Sequence, residues 1–119
     1  MATSNTKSLK INIDIPIELY IDIVLSAQIG YWADFKSNKT YWSDEKKLLY
    51  VQEFDDNKIH ILDYNKFCKG LQKLFRAECS GSYKNRYHNV VSLLTNEDYD
   101  ASYADDIIQF SLFGEIIYS

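Results

Sequence analysis

The chain has 119 residues, of which 46% are hydrophobic and 15% aromatic, and its formal net charge is −4. This length suits one domain with a core of its own. The negative charge argues against a general nucleic-acid binder, because phosphate contacts need clustered cations. The sequence shows neither an apolar run near the ~20 residues of a membrane helix nor the apolar segment of a secretory signal. We therefore expect a cytoplasmic protein with no membrane contact, whose two cysteines are reduced thiols.

Charge is unevenly distributed along the chain. Residues 1–35 carry a net charge of −2 and residues 36–86 carry +4, whereas residues 87–119 contain six acids and neither lysine nor arginine. This distribution predicts either a mixed surface or one basic and one acidic face, and the sequence leaves both alternatives open.

The first half of the chain alternates short elements with turns. Residues 1–8 are polar and predict a flexible N-terminus, followed by a single domain over residues 9–119. Strict alternation over residues 9–15 predicts a strand. Pro16 suits the first turn of an amphipathic helix that ends at Gly30. The remaining predictions are a short strand or extended turn at 31–35, a hairpin tip at 37–39, and a hairpin formed by strands at 48–54 and 59–62.

The second half reads as mostly helical. Asp63 is a plausible N-cap for a helix that runs to about Cys79, and residues 87–94 form another apolar stripe. A polar connection leads to a final helix over residues 103–113, with Asp100 or Ser102 as N-cap and Gly114 as C-cap. The whole pattern predicts an α+β fold in which about four helices pack on an antiparallel sheet of three to four strands.

Signals for catalysis or metal binding are weak. The four glycines lack the spacing of a phosphate-binding loop or a nucleophile elbow. Zinc sites usually place ligands in close pairs, and the potential ligands of this chain are widely spaced. Cys68 lies on an apolar helical stripe, and a strand pattern predicts a polar-face position for His60. We expect no metal, no cofactor and no catalytic residue; zinc or a Cys–His nucleophile remains an alternative for His60, Cys68, Cys79 and His88.

Residues 97–106 combine acids with tyrosines. Asp105 and Asp106 are adjacent, so they point about 100° apart around a helix and do not form a facing acid–base pair. Acids before and within the first turn favour the helix dipole, which is the structural interpretation. The functional interpretation is that carboxylates imitate nucleic-acid phosphates and occupy a basic groove on a partner. The predicted partner-binding surface comprises Glu97, Asp98, Tyr99, Asp100, Tyr103, Asp105 and Asp106.

The basic middle of the chain carries the alternative hypothesis. Cations interleaved with aromatic rings are typical of surfaces that bind single-stranded nucleic acid by charge and stacking. An ordinary solvated face is the structural alternative. The predicted nucleic-acid face comprises Lys36, Lys39, Tyr41, Trp42, Lys46, Lys47, Lys84 and Arg86.

Two segments carry a resemblance to a known group of proteins. Residues 30–33 read Gly-Tyr-Trp-Ala after a helix, and residues 109–118 follow the pattern Q-x-x-LFGE-x-x-Y. In these features the chain resembles small proteins of phages, plasmids and integrated mobile elements. The resemblance implies that the protein belongs to a mobile genetic element. By analogy, it implies an inhibitor of host defence of the anti-CRISPR or anti-restriction type, which binds a host protein or nucleoprotein complex. It carries over no catalytic residue and leaves the oligomeric state open.

The same ending has a physical interpretation that does not depend on the resemblance. An apolar helix face followed by Gly114 allows residues 116–118 to turn back over the core. Gln109 is predicted to hydrogen-bond a backbone group beside Trp32. We accordingly expect that truncation after Leu112 unfolds the protein.

Overall fold

Two layers make up the fold, which a computed structural model describes for residues 14–119: a small sheet and a set of helices that pack against it. This arrangement confirms the predicted α+β class with one antiparallel sheet and four α-helices. The helices are α1 (Ile17–Ser26), α2 (Tyr64–Ser80), α3 (Val90–Asn96) and α4 (Ala101–Phe113), and the strands are β1 (Tyr41–Ser43), β2 (Leu48–Gln52) and β3 (Ile59–Leu62). A short 3₁₀ helix, Phe35–Ser37, precedes β1.

The sheet has the antiparallel order β1–β2–β3. Leu49 lies opposite Trp42 on one side and Leu62 on the other, and both leucines are buried. Successive residues point to opposite faces, so the next row, which includes Tyr41 and Ile61, is exposed. One sheet face therefore joins the core and the other is open.

Several predicted boundaries in the first half were wrong. The turn between β1 and β2 lies at residues 44–47, whereas residues 37–39 are the end of the 3₁₀ helix and the loop before β1. Of the two alternatives predicted for residues 31–35, the structure has the turn, and the strand is limited to one bridge between Ala33 and Glu53. Helix α1 ends at Ser26, because the chain then turns to bury Ile29 and Trp32. The strand predicted at 9–15 falls mainly on residues outside the described range, and residues 14–15 are not in a strand.

Side-chain caps set the helix starts in the second half. Asp63 accepts a hydrogen bond from Lys66 N–H at 2.7 Å and begins α2, and Asp100 accepts one from Tyr103 N–H at 2.8 Å and begins α4. Gly114 ends α4 in the left-handed region, with φ of 79°. These three predicted caps are confirmed. Tyr87 was wrongly assigned to the helical stripe: it precedes α3 and is exposed.

The core forms where α2 and α4 cross. Phe67, Leu71 and Leu74 of α2 are fully buried, as are Ile107 and Ile108 of α4. Burial of this apolar area is the main stabilising term of the domain. Within the described part of the chain, none of the helices combines the length and the apolar character that crossing a bilayer would require.

Candidate functional site

An open cleft runs beside the first turns of α4, and we call it the tyrosine–acid cleft. Helix α4 forms its floor, the segment after α1 and the loop after α2 form two walls, and residues that follow α4 form the third. Its volume is about 730 Å³, within the range of small-ligand sites. The lining residues are Tyr31, Ser82, Tyr83, Lys84, Ser102, Asp105, Asp106, Phe110, Glu115, Ile116 and Ser119.

Asp105 lies at the base of the cleft and is 4% exposed. It accepts hydrogen bonds from Trp32 Nε1 at 2.9 Å, from the Tyr31 hydroxyl at 2.5 Å and from Gln109 Nε2 at 3.1 Å. A buried carboxylate requires such donors, because burial without them is costly. The prediction that Asp105 belongs to an exposed partner-binding surface was wrong: its neighbours make it an anchor between α4 and the segment after α1.

Asp106, the next residue, is half-buried and more accessible. The Tyr83 hydroxyl donates a hydrogen bond to its Oδ2. Burial raises the pKa of the Asp106 carboxyl, the bond from Tyr83 opposes that shift, and the negative charges of Asp105 and Asp100 add to it. No cationic side chain in residues 14–119 forms an ion pair with Asp106. This carboxylate is therefore a natural partner for a cation that enters the cleft.

The hydroxyl groups of the two wall tyrosines, Tyr31 and Tyr83, donate hydrogen bonds to the acids of the cleft. Burial, followed by the hydrogen bond to Asp105, raises the pKa of Tyr31. Burial and the bond to Asp106 raise the pKa of Tyr83 in the same way. Both phenols are consequently neutral at physiological pH and donate to the carboxylates. Sequence patterns do not reveal this cleft, because its walls come from segments far from α4 along the chain.

The loop between α3 and α4, residues 97–100, presents three exposed acids, and we call it the acidic loop. Glu97 ends α3 with a left-handed backbone, φ 52°. Asp98 accepts a hydrogen bond from Ser92 Oγ at 3.3 Å, and Asp100 caps α4. The predicted capping role of Asp100 is confirmed, and these bonds hold two of the three carboxylates in fixed positions.

The His88 ring lies between two acids of this loop. Its Nδ1 is 3.6 Å from Asp98 Oδ1, and its Nε2 is 3.3 Å from Asp100 Oδ2. The His88 side chain is only 12% exposed, whereas the two carboxylates are about half exposed. The imidazole thus lies beneath the acids and leaves their outer oxygens open to solvent.

The two tyrosines of the predicted partner-binding surface differ. Tyr103 is fully buried and donates to Glu78 Oε2 at 2.6 Å, so its prediction as an exposed anchor was wrong. Its position on α4 faces the α2 side of the core. Tyr99 is half-buried, with its hydroxyl 3.4 Å from Ser26 Oγ, and it remains a candidate contact.

The predicted nucleic-acid face does not form one surface. Tyr41 and Trp42 are neighbours in β1 and point to opposite sides, and Trp42 packs on Tyr20 of the core. Lys84 and Arg86 follow α2, whose 17 residues extend about 25 Å from the sheet end. Near the sheet, Tyr41 stacks on Tyr50 at 4.7 Å and Lys46 is exposed on the hairpin turn. Lys36 and Lys39 are exposed in the segment before β1, and Lys47 pairs with Asp44 at 3.0 Å.

The cysteines and histidines have different surroundings in the described residues. Cys68 is half-buried beside Tyr64, and burial raises the pKa of its thiol, while Cys79 is exposed. His60 lies 2.8 Å from Glu53, and its ring meets the edge of Phe113. The predicted polar-face position of His60 was wrong, because its register opposite buried Val51 turns it toward α4. Among the hydrogen bonds of the described residues, none joins His60 or His88 to a cysteine: His60 pairs with Glu53, and His88 lies beside Asp98 and Asp100.

Fold and site together define a small α+β protein with an acidic loop beside a tyrosine–acid cleft. Comparisons of the chain with protein-family models, with curated proteins and with solved structures found no match.

Proposed function

We propose that this protein acts by binding, and that the acidic loop and the tyrosine–acid cleft together receive a basic surface of its partner. The observation that carries the proposal is the exposure of Glu97, Asp98 and Asp100 on one short loop. Residues 87–119 contain no lysine or arginine, and among the described residues the ion-pair contact to these acids is that of His88 with Asp98 and Asp100. A field of one sign speeds encounter with an oppositely charged partner and fixes the orientation of binding.

The cleft adds a specific contact to this general attraction. Asp100 begins α4, and the next turns of that helix carry Asp106 into the cleft. A lysine or arginine side chain of the partner would enter there and pair with Asp106. Charge-assisted hydrogen bonds in a partly desolvated site are stronger than those at an exposed surface. The loop would thus guide the partner, and the cleft would hold it.

The partner class follows from what basic grooves usually bind. Proteins that process nucleic acid line such grooves with lysine and arginine, and carboxylates can occupy them in place of phosphates. Together with the resemblance to proteins of mobile elements, this supports a non-enzymatic inhibitor of a host nucleic-acid-processing defence complex, of the anti-CRISPR or anti-restriction type, acting in the cytoplasm. Blocking a groove needs no bond-breaking chemistry.

Affinity capture from a host lysate, followed by mass spectrometry, tests the proposal. The test variant combines Glu97→Gln, Asp98→Asn and Asp100→Asn; asparagine caps helices about as well as aspartate, so α4 keeps its start. We expect the wild type to capture a nucleic-acid-processing complex, and the variant to recover at least about tenfold less, the equivalent of roughly 1.4 kcal/mol.

The matched control removes the same charge elsewhere on the surface. Asp22→Asn, Glu45→Gln and Asp55→Asn alter three exposed acids away from the acidic loop. We expect this control to capture as much partner as the wild type does. Equal recovery by the test variant and the wild type, or equal loss in both variants, would contradict a role for the acidic loop.

A second candidate function is supported by the open sheet face. The stacked rings of Tyr41 and Tyr50 offer a platform for bases, and Lys46 adds positive charge nearby. On this alternative the protein is a small accessory factor that binds single-stranded nucleic acid. A mobility-shift assay at low salt separates the two: binding that is lost in Tyr41→Ala supports the alternative, and no binding supports the inhibitor.

A further inference from the structure

Three potential metal ligands converge at the end of the sheet opposite the β1–β2 turn, where β2 leads into β3. Ligand atoms of Glu53, Asp56 and His60 all lie within 4.8 Å of one another. The closest pair is His60 Nε2 and Glu53 Oε2, which are 2.8 Å apart. Two ligands that are each roughly 2.0–2.2 Å from a tetrahedral zinc ion lie about 3.3–3.6 Å apart. Side-chain shifts of about 1 Å would therefore bring the three ligand atoms to this spacing.

The backbone holds the three residues in place. Glu53 is fixed by its bridge to Ala33 directly after β2, and His60 is a residue of β3. The connecting turn is closed by Asp56 N–H donating to Glu53 O at 3.3 Å and by Gln52 Nε2 donating to Asp56 O at 2.8 Å. These bonds use the backbone of Asp56. Its carboxylate accepts one hydrogen bond, from Lys58 N–H to Oδ1 at 2.9 Å, and this leaves Oδ2 available to a ligand.

Two aromatic side chains, Tyr118 and Phe113, contact the ligand residues Glu53 and His60. The Tyr118 hydroxyl donates to Glu53 Oε1, the oxygen that does not face His60. Phe113 places its ring perpendicular to the His60 ring, at a centroid distance of 5.1 Å. Such outer contacts orient metal ligands and raise affinity. Glu53 and His60 are about 15% exposed, so the site is partly desolvated on this side, whereas exposed Asp56 leaves it open on the other.

The electrostatic surroundings favour a cation. A polar cavity next to the three ligands is lined by two of them, Glu53 and Asp56, and by two further acids, Asp34 and Asp55. Lys39 is the cationic residue on the same lining. Four carboxylates that share one cavity repel each other, and a divalent ion removes much of that repulsion.

We propose that Glu53, Asp56 and His60 bind one divalent transition-metal ion of the Zn²⁺ class, with water completing its coordination. One imidazole and two carboxylates suit this class, whereas Ca²⁺ and Mg²⁺ prefer ligand sets made only of oxygen. The ion would tie the β2–β3 turn to the segment after α4 through the Glu53–Tyr118 bond. This site is separate from the acidic loop, so it stands or falls independently of the proposed function.

Titration calorimetry of the reduced full chain with Zn²⁺ is the primary test. We expect one equivalent to bind, and expect His60→Gln and Asp56→Asn each to lower the affinity by at least about tenfold. His88→Gln and Asp22→Asn are the matched controls, because each alters the same residue type outside both the ligand set and the lining of the polar cavity; both should bind like the wild type. No saturable binding by the wild type, or unchanged affinity in His60→Gln, would overturn the proposal.

Spectroscopy of the wild type removes two ambiguities. With Co²⁺ as the probe, nitrogen and oxygen ligation gives weak visible bands, whereas an intense near-ultraviolet thiolate band would place the metal on Cys68 or Cys79 and overturn the assignment. With Mn²⁺ as the probe, paramagnetic broadening of amide resonances should be greatest for residues 53–60. Broadening centred on residues 97–100 would overturn it as well, and this readout requires no variant to fold.

Discussion

Asp105 is a carboxylate that the fold buries, and its three donors come from the segment after α1 and from α4 itself. Asp106, one position later, keeps an accessible oxygen and a raised carboxyl pKa. Adjacent acids with the same formal charge therefore have different roles. Asp105 stabilises the structure, and Asp106 is available for binding.

Asp105→Asn tests this distinction at the level of one side chain. The amide keeps the shape but turns an NH₂ group toward a buried donor, which loses its acceptor. We expect the free energy of unfolding to fall by about 1–3 kcal/mol, measured by urea denaturation with tryptophan fluorescence. The exposed acid Asp98, changed to Asn, is the control and should alter it by less than about 0.5 kcal/mol. Equal stability of both variants would show that the three hydrogen bonds do not stabilise the fold.

Helices α2 and α4 are in close contact at Gly70 and Ser111. A Cβ added at Gly70 would lie 2.6 Å from the Ser111 Cα, closer than non-bonded atoms allow. The missing side chain of Gly70 is therefore what permits the crossing that buries Phe67, Leu71 and Leu74. Glycine has a poor helix propensity, but at position 70 the close contact between the two helices favours it.

Gly70→Ala is expected to destabilise the protein by about 1–3 kcal/mol through overpacking, although alanine favours the helix itself by nearly 1 kcal/mol. Thermal unfolding followed by circular dichroism measures the effect. Gly30→Ala is the matched control, because a Cβ there meets only Phe35 at 4.0 Å. A stabilised Gly70→Ala variant would mean that α2 and α4 can separate at no cost.

Residues 113–118 join distant parts of the whole molecule. The Tyr118 ring stacks on Trp32 at a centroid distance of 5.1 Å, and Phe113 meets the same indole edge-on at 5.6 Å. Gln109 accepts hydrogen bonds from the N–H groups of Ile117 and Tyr118 and donates one to Tyr118 O. The predicted Gln109 bond to a backbone group beside Trp32 is thereby confirmed.

Truncation after Leu112 should remove the cooperative thermal transition. It deletes both rings that cover Trp32 and leaves the buried Gln109 amide without its backbone partners, a loss that combines apolar exposure with unsatisfied polar groups. Circular dichroism at increasing temperature provides the measurement. Deletion of Ser119 alone, an exposed residue, should leave the transition unchanged. An intact cooperative melt after the longer truncation would refute the role of residues 113–118.

Local signals in the sequence were sufficient for much of the fold. Asp63, Asp100 and Gly114 act on backbone groups within a few residues, so their capping roles can be predicted without knowing the rest of the structure. Helical periodicity located α2 and α4 for the same reason. Predictions failed where the chain turns to pack against a distant segment, as it does after Ser26. Helix propensity contains no information about such long-range packing.

Patterns along the chain predict the α+β class, the main helices, their caps and the concentration of acids near its end. The packing of distant segments sets which of those acids are exposed, where the cleft lies and which side chains surround His60. Asp105 is buried by partners 73 and 74 residues away, and Glu53 is held by Tyr118 across 65 residues. Burial and ligand geometry depend on such distant contacts, whereas composition and periodicity depend only on neighbours along the chain.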